Sequence, residues 1–335
     1  STAKISLTNV SNLTSVDVTG NGGSNGATAD LALAYKSDST SSTVNYKDGF
    51  DGGDLVVTGV VTSQTIGSSG AQNDIDAITL ASTTTSLTID ASSKFVTSGA
   101  LDFGDTQKLV VTGTAAVDLD AALLDASTNE VDASGSSGGV SVHFADVSPA
   151  ATVAGKDVAD ITFTGGSGND SVKYSADTDG LGNHELSIST GGGNDTVKLE
   201  SILAASTASK VADILNGGDG TDTLLISASN AELQGAVTTV SNFEELTITD
   251  SVDSTVTVGN FQSSGLTTVN LKSAVVANGI TFATGGGTID LETTGTLGYD
   301  GFLVTVAGSA TTDTVTLRNQ AKSGANHVNA FGDYN

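Results

Sequence analysis

The chain has 335 residues, 12 Lys and Arg against 38 Asp and Glu, and a formal net charge of −26. Its single Arg, Arg318, leaves it without the basic surface that nucleic-acid binding needs, and the lack of Cys rules out disulfides, thiolate metal sites and thiol redox chemistry. No apolar run approaches the roughly 20 residues of a membrane-spanning helix, while 37% hydrophobic residues, rich in Val, Ile and Leu, argue against disorder. The chain opens on Ser1-Thr2-Ala3, with no basic-then-apolar leader, and reads as a piece of something longer. Short runs alternating apolar residues with Thr or Ser then follow one another: 55–58, 77–80, 87–89, 108–112, 161–164, 246–249, 267–271, 302–306 and 314–317. A period of two in β-branched residues predicts half-buried strands. No long stretch has helical spacing, and the Ala-rich segment 202–215 predicts a short helical turn or a loop.

Strands this short and this dense predict an all-β fold, a β-solenoid or β-roll resembling a parallel β-helix. The tripeptide Asp-Ala-Ser recurs at Asp90, Asp125 and Asp132, and is read as a repeated rung edge. Pro149, the only proline, suggests a boundary. The expected organisation is a solenoid-like region over 1–150, a region of glycine–aspartate turns over 151–228, and a β-rich region over 229–335, all of which one continuous solenoid could also accommodate.

The sharpest signal is three turns. Gly165-Gly-Ser-Gly-Asn-Asp170-Ser-Val-Lys173 and Gly217-Gly-Asp-Gly-Thr-Asp222-Thr-Leu-Leu225 fit the nonapeptide G-G-x-G-x-D-x-U-x completely, and Thr190-Gly-Gly-Gly-Asn-Asp195-Thr-Val-Lys198 fits except at Thr190. This is the calcium repeat known as RTX. Glycine lets carbonyls converge on a cation, and Asp adds a hard carboxylate oxygen. Calcium takes about 6–8 oxygens, more than one turn can supply, so neighbouring turns must share each ion. The candidate ligand positions are Gly165, Ser167, Asn169 and Asp170; Thr190, Gly192, Asn194 and Asp195; and Gly217, Asp219, Thr221 and Asp222. The apolar residues Val172, Val197 and Leu224 should point inward. Spacings of 25 and 27 residues between the three Asp suit one turn per rung, stacked in a column. Asp48, Asp51 and Asp54 form a further acidic turn, read either as a calcium loop or as a solvated turn, and Asp177 and Asp179 lie on a loop beside the main group. His184 reads as solvent-exposed, since calcium prefers oxygen.

Three separated turns of this kind in an acidic, Cys-free, Thr- and Ser-rich β chain resemble the RTX-type surface-layer (S-layer) proteins of Gram-negative bacteria. The run Val240-Ser-Asn-Phe243-Glu-Glu-Leu246-Thr-Ile248 downstream resembles them also. The resemblance covers about residues 155–275. It implies a non-enzymatic structural protein, exported by a type I system, that forms a calcium-dependent planar lattice on the cell surface. Self-association and Ca²⁺ are the implied interactions, with lipopolysaccharide bound through parts not in this chain. The competing readings are an RTX adhesin fragment and a β-helix polysaccharide lyase or hydrolase. The adhesin is disfavoured by 4% aromatic content, and the enzyme by the isolation of Arg318.

Overall fold

A computed structural model describes residues 3–11, 13–20, 29–36, 39–144, 161–174, 186–200, 202, 213–237, 239–261, 265–273, 275, 279–283, 285–291, 303–307 and 314–319. The fold is an all-β solenoid built almost entirely of parallel strands, with about 4% of the described residues in helix. The chain divides into two compact units, residues 1–195 and 196–335. The segments 175–185 and 203–212, with Asp177, Asp179, His184 and most of the expected helical turn, lie outside the described residues.

In the first unit the chain winds through three parallel sheets in turn. One circuit runs Ser63–Ser69, Asn73–Ile75, Ile78–Thr79 and back to Ser86–Ala91, which lies directly beside Ser63–Ser69. Ser63 faces Ser86, Ser86 faces Lys108, and Lys108 faces Glu130, so a rung takes 23 residues and then 22 twice. Later rungs lengthen: Glu130 faces Thr162, and Ile161 faces Leu186.

This winding stacks like on like. Val44, Ile66, Ile89 and Val111 form one interior column in consecutive rungs, all fully buried. Strands such as Ser86–Ala91 and Lys108–Gly113 therefore alternate inward apolar residues with outward Ser, Thr or charge, which is the pattern legible in the sequence. At the corner leading back into Ser86–Ala91 and its successors, the buried Thr84, Thr106 and Thr128 make a ladder. Each hydroxyl donates to a main-chain carbonyl one rung earlier, namely Val61, Thr84 and Thr106, at 3.1, 3.2 and 2.7 Å. These bonds satisfy carbonyls that the bend leaves outside the sheet ladder.

The second unit stacks Thr196–Leu199, Thr223–Ile226, Glu245–Ile248, Thr268–Leu271, Gly286–Leu291 and Thr314–Asn319 in one parallel sheet. Val197, Leu224, Leu246, Val269 and Ile289 form its interior column, each fully buried. A short helix, Ala228–Leu233, follows Thr223–Ile226 and is capped by the Ser227 hydroxyl, which accepts from Asn230 N at 3.4 Å.

The repeated Asp-Ala-Ser does not mark equivalent rung positions. Asp90 is paired with Thr112, whereas Asp132 is paired with Val110, two residues out of step along the strand. Asp125 lies in a turn, where its carboxylate accepts from Ser127 N at 2.8 Å. A tripeptide common in an Asp- and Ser-rich chain carried no register.

Candidate metal centre

The three glycine–aspartate turns occupy one kind of corner. Gly165–Asp170 joins Ile161–Thr164 to Ser171–Tyr174; 190–195 joins Leu186–Ser189 to Thr196–Leu199; Gly217–Asp222 joins Ile214–Asn216 to Thr223–Ile226. Val172, Val197 and Leu224 just beyond them are fully buried, as the repeat pattern requires. Gly193 and Gly220 take φ of 129° and 145°, where a side chain would be strained.

The glycines that open the motif are explained by contact. A Cβ at Gly165 would lie less than 3.0 Å from two oxygens: the Thr190 carbonyl of the next rung and Asp170 Oδ2 of its own turn. A Cβ at Gly166 would strike the Ser136 carbonyl in the rung before. The first glycine thus leaves a space into which a carboxylate and a carbonyl both point. In the middle turn Thr190 stands at that position, fully buried, and its side chain hydrogen-bonds Asp195.

The aspartates themselves are interior. Asp170, Asp195 and Asp222 are 3%, 1% and 0% exposed. Asp170 Oδ1 accepts from Val140 N at 2.7 Å, and Asp195 Oδ1 accepts from Asp170 N at 2.7 Å. Each carboxylate thereby caps an N–H of the preceding rung where the sheet ladder breaks. Asp170 Oδ2 is buried and has no hydrogen-bond partner. Burial pushes the Asp170 carboxyl up to about 7; the Val140 N–H opposes this, and the charge of Asp195 adds to it. Burial also raises Asp195, against the Asp170 N–H and the Thr190 side chain.

The intervening motif side chains face outward. Ser167, Asn169, Asn194, Asp219 and Thr221 are exposed, and Gly192 is half-buried. Asn169 Oδ1 accepts from Asn194 N at 2.8 Å, Ser167 N donates to the Ser136 carbonyl at 3.1 Å, and Gly192 N donates to the Gly166 carbonyl at 2.9 Å, so successive turns are tied together.

Sequence reading missed Glu244. Thr223 faces Glu245 across the sheet, which sets Glu244 at the rung position of Asp222, and Glu244 Oε2 accepts from Asp222 N at 2.8 Å. The 22-residue interval between them was the available signal, but no glycine turn marks it.

Asp48, Asp51 and Asp54 do not gather. Asp48 is exposed with φ of 58°, Asp51 forms an isolated bridge to Asp74, and Asp54 N donates to Asp30 Oδ1 at 3.2 Å. Among the described residues no three acidic or imidazole side chains converge as a metal-binding group. Asp74 Oδ1 is buried without a hydrogen-bond partner, and its carboxyl is raised by burial first and then by Asp51, Asp76 and Asp118. Other corner acids repeat the capping device: Asp76 Oδ2 accepts from Gly53 N at 2.9 Å, Asp125 Oδ2 from Phe103 N at 3.3 Å, and Asp250 from Ala228 N. Part of the chain's acidity is therefore backbone capping between rungs.

The groups at the first two turns suit a hard, oxygen-seeking dication. At Gly165 a buried carboxylate oxygen that makes no geometric hydrogen bond points at the same space as the Thr190 carbonyl, and both are oxygen donors. Comparison with protein-family models, with curated proteins and with solved structures finds no match. Among the described residues, no helix is long and apolar enough to cross a membrane.

Proposed function

We propose that the protein is a calcium-ordered structural component of a bacterial surface layer, secreted and assembled outside the cell into a planar lattice of its own copies. The observation that carries this reading is the pair Asp170 and Asp195, buried one rung apart and bonded through Asp170 N, with Asp170 Oδ2 buried and making no geometric hydrogen bond. Burying adjacent carboxylates is costly unless a counter-charge accompanies them. Calcium would supply that charge, held in the first unit by Asp170 and Asp195 with carbonyls of their turns, and in the second unit by Asp222 with carbonyls of its own. A solenoid that exposes regular Ser- and Thr-rich strands is a suitable scaffold for such a lattice, and the resemblance of the turns to those of RTX-type S-layer proteins points the same way.

Calcium bound only by the folded state adds RT ln(1 + [L]/Kd) of stability. A chain that is poorly folded at low calcium can pass an exporter and then fold where calcium is abundant. Electron micrographs of the purified chain with calcium and with chelator test the proposal. Ordered two-dimensional arrays that form with calcium and dissolve with chelator are expected; monomers under both conditions, with glycan binding or polyuronate cleavage instead, would favour the adhesin or the enzyme.

A further inference from the structure

We propose that, within the second unit, the motif turn shares a cation with the rung after it: Gly217 and Asp222 meet Asn242 and Glu244 to form a further site for a hard divalent cation. This rests on the calcium reading above. The residues 242–244 are Asn-Phe-Glu, with no glycine turn, so the nonapeptide pattern gives no reason to look there.

The geometry at this rung nevertheless repeats that of the first motif turn. Gly165 N donates to the Ser189 carbonyl at 2.7 Å, and Gly217 N donates to the Ser241 carbonyl at 3.1 Å. A Cβ at Gly165 would crowd the Thr190 carbonyl and Asp170 Oδ2; one at Gly217 would lie less than 3.0 Å from the Asn242 carbonyl oxygen and Asp222 Oδ2. In both places the carbonyl of the next rung and the carboxylate of the turn point into one glycine-sized space. The carboxylate ladder is repeated too. Glu244 Oε2 accepts from Asp222 N as Asp195 Oδ1 accepts from Asp170 N, the longer Glu side chain reaching the same N–H at 2.8 Å.

Asn242 is held for this purpose. Its φ of 56° is left-handed, a conformation that Asn tolerates better than most residues and that directs its carbonyl toward Gly217. Its side chain donates to Asn216 Oδ1 at 2.7 Å, tying the rung to the one before. Phe243, fully buried, anchors the segment from within. A carboxylate and a main-chain carbonyl, with a second carboxylate alongside, make an all-oxygen donor set suited to Ca²⁺. Asn242 is exposed and Glu244 half-buried, so water completes the shell and the site is weaker than those between motif turns.

Equilibrium dialysis of the whole chain against Ca²⁺, for wild type and Glu244→Gln, tests the proposal. Gln keeps the acceptor for Asp222 N but removes the charge. The expected result is one calcium fewer per chain in Glu244→Gln, with chelator-treated melting unchanged. Asn242→Gly, which keeps the carbonyl and eases the left-handed φ, should retain full stoichiometry. Hydrogen exchange gives an independent readout: calcium should slow amides of 240–246 in wild type and not in Glu244→Gln. If wild type binds calcium and Glu244→Gln binds it with equal stoichiometry and affinity, the proposal is overturned while the calcium reading stands. If wild type binds no calcium, both fall.

Discussion

Replacing Asp170 by Asn should change stability in opposite directions with and without calcium. The substitution keeps the side-chain shape. Its Oδ1 can still accept from Val140 N, and its new NH₂ would face the Thr190 carbonyl, where Asp170 Oδ2 now has no proton to share. What it removes is a buried negative charge. The folded carboxyl titrates near 7 against 3.8 for the free group. That displacement of about three pH units is worth at most about 4 kcal/mol of destabilisation at pH 8, at ~1.36 kcal/mol per unit. For a unit of 195 residues this is at most about 8–16 °C in melting temperature, at about 2–4 °C per kcal/mol. Melting followed by circular dichroism at pH 8 in chelator should therefore rise in Asp170→Asn. At pH 4, where the wild-type carboxyl is protonated in the folded state, the difference should nearly vanish. With saturating calcium the order should invert, because the amide is a poorer ligand. A variant that melts lower than wild type in chelator at pH 8 would refute the argument, since it would show the bare charge to be stabilising as it stands.

The pH dependence of the metal-free chain follows from the same group. Asp170 binds a proton more tightly folded than unfolded, so the folded state takes up protons between about pH 4 and 7 and stability falls as pH rises through that window. Denaturant titrations in chelator at pH 5 and 8 should give the lower midpoint at pH 8, and a midpoint that does not fall would contradict the assignment. Gly165→Ala should destabilise the fold by about 1–3 kcal/mol in urea, as overpacking does, because its methyl meets the Thr190 carbonyl and Asp170 Oδ2. Thr106→Val, which removes one bond of the threonine ladder while preserving shape, should cost about 1 kcal/mol.

Alternation in strands such as Ser86–Ala91 and Lys108–Gly113 was visible in the sequence because each turns one face to the interior and the other to water. The motif turns were visible because Gly165 and Gly193 answer to local constraints, a close approach and a positive φ. The spacing of the motif aspartates showed a rung of 25 residues there, but the 22- and 23-residue rungs before them were not visible. Some strands span only two residues, as at Ile78–Thr79 and Leu101–Asp102, too short to show a period. The 22-residue repeat of Thr84, Thr106 and Thr128 was obscured by the many other threonines, and the Asp-Ala-Ser repeat suggested a register that pairing does not keep. Glu244 was missed for a related reason. Its place in the column comes from the pairing of Thr223 with Glu245, and its own neighbours in sequence carry no trace of it.

We propose above that calcium completes the buried carboxylates of the motif turns. The melting temperature of the whole chain, measured across a series of free calcium concentrations, tests it most directly. The melting temperature should rise with the logarithm of calcium concentration above the dissociation constant, and chelator should reverse it. Superimposable melting curves in calcium and in chelator would contradict it.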